Sequence, residues 1–358
     1  MNFHRVENRR QLREFIDLPD RLHDGRYVPT LRQTICGWYR DGIGLYLLRD
    51  DGGRVVGRTT LHTDDAFDAK LGRRPQLFGL TEFAPGAEVP LFAAICAAGR
   101  AAGRSSAFGP VSLLPNQSGG VITSGYGERG FIDSAWNPDR YPAAYEANGF
   151  TRRFESDTWV CPVTADPDTV FRFDESRLAA EELVLHRGDR KNIGAQLPML
   201  RAMLNDAFAQ LGYYTEISAE QLAAQTDGLA YLLDESLLLY LTKAGRPVAF
   251  VLCVPDISEF VSAVGANLNP LNQIRLLATR SRYRRDAVLI VKGTVPGEQG
   301  HGYMRYLSRE LLRNLRAGGY RRLRSTYVEH TNPGSAAHFR AMGGRPLHGY
   351  TFYEKDLA

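Results

Sequence analysis

The stretch 293–302, Gly-Thr-Val-Pro-Gly-Glu-Gln-Gly-His-Gly, constrains this chain more than any other, because it joins an apolar run to an amphipathic one. Ala287, Val288, Leu289, Ile290 and Val291 have the composition of a buried strand, which Pro296 and Gly297 end. Beyond the glycines, Met304, Leu307, Leu311, Leu312 and Leu315 recur at three- and four-residue spacing, with Arg305, Arg309, Arg313 and Arg316 on the other side. That spacing predicts a helix with one core-facing stripe. Gly300 and Gly302 fall at its first turn, where the leading N–H groups have no intrahelical partner and the helix dipole favours an anion. The strand–turn–helix therefore reads as a phosphate cradle, against the plainer alternative of a tight turn between two elements.

At 358 residues the chain exceeds one ordinary domain, and 44% hydrophobic with 23% charged residues is a globular composition. Two domains are expected. Lys+Arg 44 against Asp+Glu 40 leaves +4, too thinly spread to argue for nucleic acid. Cys36, Cys96, Cys161 and Cys253 form no C-x-x-C pair and sit mostly among apolar neighbours, as reduced core thiols do. No signal-peptide core opens the sequence, and no apolar run approaches the roughly 18 residues of a membrane span. The expected location is cytoplasmic, without membrane insertion. No metal-ligand spacing is present, and Gly-x-Ser-x-Gly is absent.

In chain order, Leu12, Phe15, Ile16 and Leu18 predict a helix that stops at Pro19. Asp50-Asp51-Gly52-Gly53 between apolar runs predicts a hairpin, and an alanine-rich helix is expected over 90–103. Residues 116–130 read as a long glycine-rich loop, and the Pro-, Asp- and Thr-rich stretch 162–176 as a linker, which puts the domain boundary near residue 180. The second half repeats the order: a strand at 183–185, helices over 197–211 and 219–233 around Tyr213 and Tyr214, then a hairpin of 236–242 and 248–254.

Gln299, Gly300, His301, Gly302, Tyr303 and Met304 resemble the acyl-CoA pyrophosphate loop of the GNAT N-acetyltransferase superfamily, Gln or Arg, two residues, Gly, one residue, then Gly or Ala. Met304 departs from it, and a methionine there would crowd a pyrophosphate. The resemblance to bacterial tandem GNAT proteins also runs through Val254-Pro255-Asp256, Asn269-Pro270, Glu329 with Asn332, and Tyr353-Glu354-Lys355, and in the first half through 22–31, Gly109-Pro110 and 137–150. It implies an α/β (α+β) fold of two tandem GNAT-like domains, 1–179 and 180–358, each a mixed, mostly antiparallel, splayed sheet flanked by helices. In the first, 84–90 lacks the loop pattern, which implies lost coenzyme binding.

The same resemblance implies acetyl-CoA or another acyl-CoA as co-substrate, no metal, and an acyltransferase acting on an amine of a small molecule or peptide. Thr294, Val295, Gln299, Gly300, His301, Gly302, Tyr303, Met304 and Asn332 are the expected donor contacts, with Tyr213, Tyr214 and Asp256 toward the acceptor. Alternation over 322–330 places Leu323, Ser325, Tyr327 and Glu329 on one strand face. Glu329 is the candidate base that takes the amine proton, unless it caps the next turn or pairs with an arginine. A tyrosine acid of many GNAT enzymes falls at Phe339, so Tyr327, Tyr350 or Tyr353 takes over the acid role, or none is needed. His301 reads as a phosphate contact, and His330 and His338 as surface or packing histidines titrating near neutrality. Arg275, Arg280, Arg282, Arg284 and Arg285, with Arg321, Arg322 and Arg324, meet coenzyme phosphates or nucleic acid, or are a solvated face. Two alternatives stay open: an acyl carrier protein or aminoacyl-tRNA as donor, and a non-catalytic ligand-binding module.

Overall fold

A computed structural model of the chain describes residues 1–226, 233–283 and 285–357; part of the helix expected over 219–233, and Arg284, lie outside them. The chain packs as two compact units, Met1–Asp157 with Ile257–Ile274 and Leu347–Ala358, and Thr158–Asp256 with Arg275–Pro346. The division in packing thus falls at Asp157, and the stretch read as a linker opens the second unit as two short helices, Pro167–Val170 and Ser176–Ala180. The composition is shared by linkers and helix starts: Asp166 accepts from the Thr169 N–H at 3.0 Å, and Pro167 takes the first helical position.

The first unit is built on β1 (Asn2–Arg5), β2 (Gly44–Arg49), β3 (Val55–His62), β4 (Pro75–Phe83) and β5 (Ser106–Gly109), followed in the sheet by β15 (Arg345–Asp356). All pairings are antiparallel except β4 with β5. Alternation on β2 sends Leu45 and Leu47 to the helix Arg9–Leu22, while Leu48 joins the core under the helix Glu88–Ala101. The stretch 116–130 expected to be a loop instead carries the end of β7 (Leu114–Gly119), which pairs with β6 (Val111–Ser112), and β8 (Val121–Ile122), which pairs with β15.

Pro19 does not end its helix. The helix runs to Leu22, and the His23 N–H donates to the Pro19 carbonyl at 2.9 Å. Proline removes the N–H that would have satisfied the Phe15 carbonyl, and the buried Arg58 guanidinium supplies the missing donor at 2.8 Å.

The second unit holds β10 (Leu183–Arg187), β11 (Leu238–Lys243), β12 (Arg246–Pro255), β13 (Asp286–Thr294) and β14 (Arg322–Glu329), with the later residues of β9 (Thr151–Pro162) beside β14. β10 to β13 are antiparallel neighbours, and β13 runs parallel to β14. Leu307, Leu311, Leu312 and Leu315 of the helix Tyr303–Ala317 pack on Leu239, Leu241, Val251 and Leu289. The other face meets Met203 and Ala207 of the helix Ile193–Phe208 through Phe250. Both sides of this sheet are covered, so its strands read as near-continuous apolar runs.

Two irregularities coincide on β13. Its parallel ladder with β14 covers only Asp286 to Leu289 against Arg322 to Ser325, although both strands continue. Its register with β12 shifts between Leu252 and Cys253, whose partners are Val291 and Leu289, so Ile290 is bulged out. The sheet therefore splays where its backbone is already displaced.

Candidate functional site

After Thr294, β13 passes through a single 3-10 turn, Pro296–Glu298, into the helix Tyr303–Ala317. Gly300 and Gly302 have φ of +83° and +81°, a left-handed conformation that side chains resist, and open space surrounds the position a Cβ would take at each. The cradle is pinned from outside. The Val295 N–H donates to the Val248 carbonyl at 3.0 Å, Gln299 Nε2 to the Thr294 carbonyl at 3.3 Å, and Arg177 Nη1 to the His301 carbonyl at 2.9 Å. Tyr303 is buried and gives its hydroxyl to Glu181 at 2.5 Å, beside an Arg177–Glu181 pair, while its ring stacks on that of His301 in the loop. Those two donors draw the Glu181 carboxyl down to about 2. Met304 packs its side chain against the core of the second unit. The arrangement fits a pyrophosphate: open glycines, leading N–H groups and a fixed approach.

In the first unit, within the stretch 84–90, the Glu88 carboxylate accepts from the Gly86 N–H at 2.8 Å. Within β4, a Cβ on Gly79 would lie 1.8 Å from the Val111 carbonyl oxygen, so that strand is closed by its own chain at this position.

At the splay, Thr326 donates its hydroxyl to the Ile290 carbonyl at 2.7 Å. Glu329 ends β14, and its Oε2 accepts from the Thr331 hydroxyl at 2.8 Å while Oε1 is buried without a hydrogen-bond partner. Tyr213 hydrogen-bonds Glu329; burial, that carboxylate and Tyr327 all push the phenol above its ordinary range. Tyr213, expected toward the acceptor, thus lies close to Tyr327 and Glu329, the candidate acid and base.

A second group flanks the opening. Lys292 of β13 sits with its Nζ 4.5 Å from the centre of the Phe339 ring, which is stacked on Trp159. Burial lowers the lysine to about 8, and burial with the charges of Lys292 and Arg305 lowers His338 to about 4. His338 is therefore neutral over the physiological range instead of titrating near neutrality. Burial raises the Cys161 thiol to about 12, leaving no thiolate there. Sequence reasoning missed Lys292; the only signal was one cation closing the apolar run 287–291.

Other expected residues lie elsewhere. Tyr353 is a core residue of the first unit, stacked on Tyr145 at 4.6 Å and donating its hydroxyl to Glu146 at 3.0 Å. Tyr350 is likewise buried there and donates to the Ala135 carbonyl. Neither phenol is free for a leaving group, because β15 carries them into that sheet. Asp256 follows the end of β12 that pairs with Ala287, at the far end of β13 from the loop, and is buried 3.7 Å from Arg324. Tyr214 packs as core, its hydroxyl donating to Asn205 at 2.7 Å. Asn332 caps the helix Pro333–Ala341 by accepting from the Ser335 N–H at 3.1 Å. Of the basic run, Arg322 and Arg324 are drawn to Asp286 and Asp256, away from the loop.

No family model matches the chain. It is 22% identical over 369 residues to Protein YghO of Escherichia coli (strain K12), covering 98% of this chain and 94% of that one. It is 23% identical over 374 residues to the bacterial ceramide synthase of Caulobacter vibrioides (strain NA1000 / CB15N), covering 98% and 96%. Among solved structures it is similar to a tandem GNAT protein from the clavulanic acid biosynthesis pathway, with TM-score 0.60, 13% identity, and 100% and 98% covered. The fold is the tandem GNAT fold that the resemblance implied.

Proposed function

We propose that the second unit transfers an acyl group from a coenzyme A thioester to an amine. The observation that carries this reading is the alignment of three features on β13: an open glycine cradle at its end, a splay in its middle, and a carboxylate with an unpartnered buried oxygen across the opening. The thioester would supply an activated carbonyl at the splay, with the coenzyme's pyrophosphate held in the cradle by backbone N–H groups of 300–303. Glu329 takes the proton of the attacking amine as the C–N bond forms, and Tyr213 fixes the carboxylate. Lys292, over the ring that stands at the expected tyrosine position, returns a proton to the departing sulfur as the C–S bond breaks.

A more specific acceptor reading rests on the ceramide synthase relative, which aligns along nearly the whole chain. A ceramide is the fatty amide of a long-chain amino alcohol, so amine and acyl group would both be long-chained. Thiol release from acetyl-CoA and from a long-chain acyl-CoA, each with polyamine, amino acid, amino sugar and long-chain amino alcohol acceptors, tests both levels. We expect turnover that falls on the order of 10²–10⁴-fold in Glu329→Gln. Unchanged turnover in that variant would remove Glu329 as the base. Thiol release from an acyl carrier protein alone, or transfer from aminoacyl-tRNA alone, would move the donor away from coenzyme A, and transfer with none of these would leave a binding module.

A further inference from the structure

The ten-residue helix Pro270–Thr279 buries Leu276 but leaves Leu271, Ile274 and Leu277 at 77%, 63% and 36% exposure. These are three of the six large apolar side chains that stand exposed among the described residues, so the apolar surface is concentrated here. Steps of three residues place them on one stripe of about 120°, with Leu276 looking the opposite way. Helix and following turn, 270–285, contain five arginines and no Asp or Glu. Arg275, Arg280, Arg282 and Arg285 are exposed, and none makes an ion pair among the described residues.

An apolar stripe on a segment that carries unneutralised arginines and no carboxylate has two requirements, an apolar phase for Leu271, Ile274 and Leu277 and negative charge for the arginines. A second copy of this chain supplies the first and fails the second, because a two-fold contact would set the same arginines against each other. A nucleic acid offers charge but no phase for Leu271 and Ile274. We propose that this helix lies on an anionic lipid surface, its apolar side chains entering the acyl boundary and the arginines meeting headgroup phosphates. The helix does not span: among the described residues, no helix is long and apolar enough to cross a membrane. Docking of this kind is a property of the surface and does not depend on which amine is acylated.

Co-sedimentation with phosphatidylcholine vesicles, with and without phosphatidylglycerol, tests it on the full chain. The expected result is binding that rises with the anionic fraction and weakens with salt. Leu271→Glu/Ile274→Glu should lower partitioning by roughly tenfold or more, and Arg280→Gln/Arg282→Gln/Arg285→Gln on the order of a hundredfold. All five side chains are exposed, so circular dichroism and melting should match the wild type. The proposal is overturned if the wild type stays in the supernatant with anionic vesicles at low salt, or if either variant pellets as the wild type does. It is overturned equally if sedimentation velocity shows a dimer, lost in the leucine–isoleucine variant, with no vesicle binding.

Discussion

Burial holds the Lys292 ammonium at about 8 against an ordinary 10.5, so folding disfavours its charge. Below pH 8 folded and unfolded chains both carry the proton, and the cost is fully present. Between pH 8 and 10.5 the unfolded chain binds more protons, so stability rises with pH. Lys292→Met should therefore be more stable than the wild type at pH 7 in urea unfolding, with the difference shrinking above pH 8; no gain at pH 7 would contradict it. If the lysine is also the acid, turnover should fall above about pH 8 in the wild type, and the variant should be slow with that limb flattened. His338→Gln should leave the profile between pH 5.5 and 8 unchanged, because His338 titrates near 4. The placement of Gly300 and Gly302 at the strand–helix turn and of Glu329 at the end of β14 was legible because it follows from neighbours in sequence. Lys292 was not, because its surroundings come from Cys161, Phe339 and His338 on other elements.

Elements whose signals are local came out as read: the hairpin of β2 and β3, the strand before the glycine loop and the amphipathic helix after it. Those settled by a distant partner did not. Proline normally breaks a helix, and nothing near Pro19 in sequence announces that Arg58, on β3, will take the stranded carbonyl. Arg58→Met should leave that carbonyl buried without a donor and cost roughly 1–3 kcal/mol in chemical denaturation. The splay is equally silent, since it consists of pairing that stops after Leu289 while both strands continue. In the loop, Gly302→Val meets a φ of +81° and should cost roughly 1–3 kcal/mol of strain. The same change should raise KM for an acyl-CoA more than it lowers kcat, by steady-state kinetics, since the cradle binds and does not react.

At the scale of the whole molecule, composition indicated two units, but packing assigns them in pieces that element order could not reveal. The stretch Ile257–Ile274 and the stretch Leu347–Ala358 belong with residues 1–157. On β15, the buried Glu354 carboxylate accepts from Arg153 Nε at 2.8 Å and from the Ser106 hydroxyl at 3.0 Å, and also pairs with Arg73. Removing 347–358 should strip those partners of their anion and expose the edges of β5 and β8, so limited proteolysis should cut the first unit and spare the second. Protection of the first unit in that truncation would show that it stands without β15. The same strand sets an order of events at the ribosome. Every residue of the second unit is synthesised before residue 347, so the half that emerges first is completed second, and throughout translation it waits with an open sheet edge for chaperones to guard.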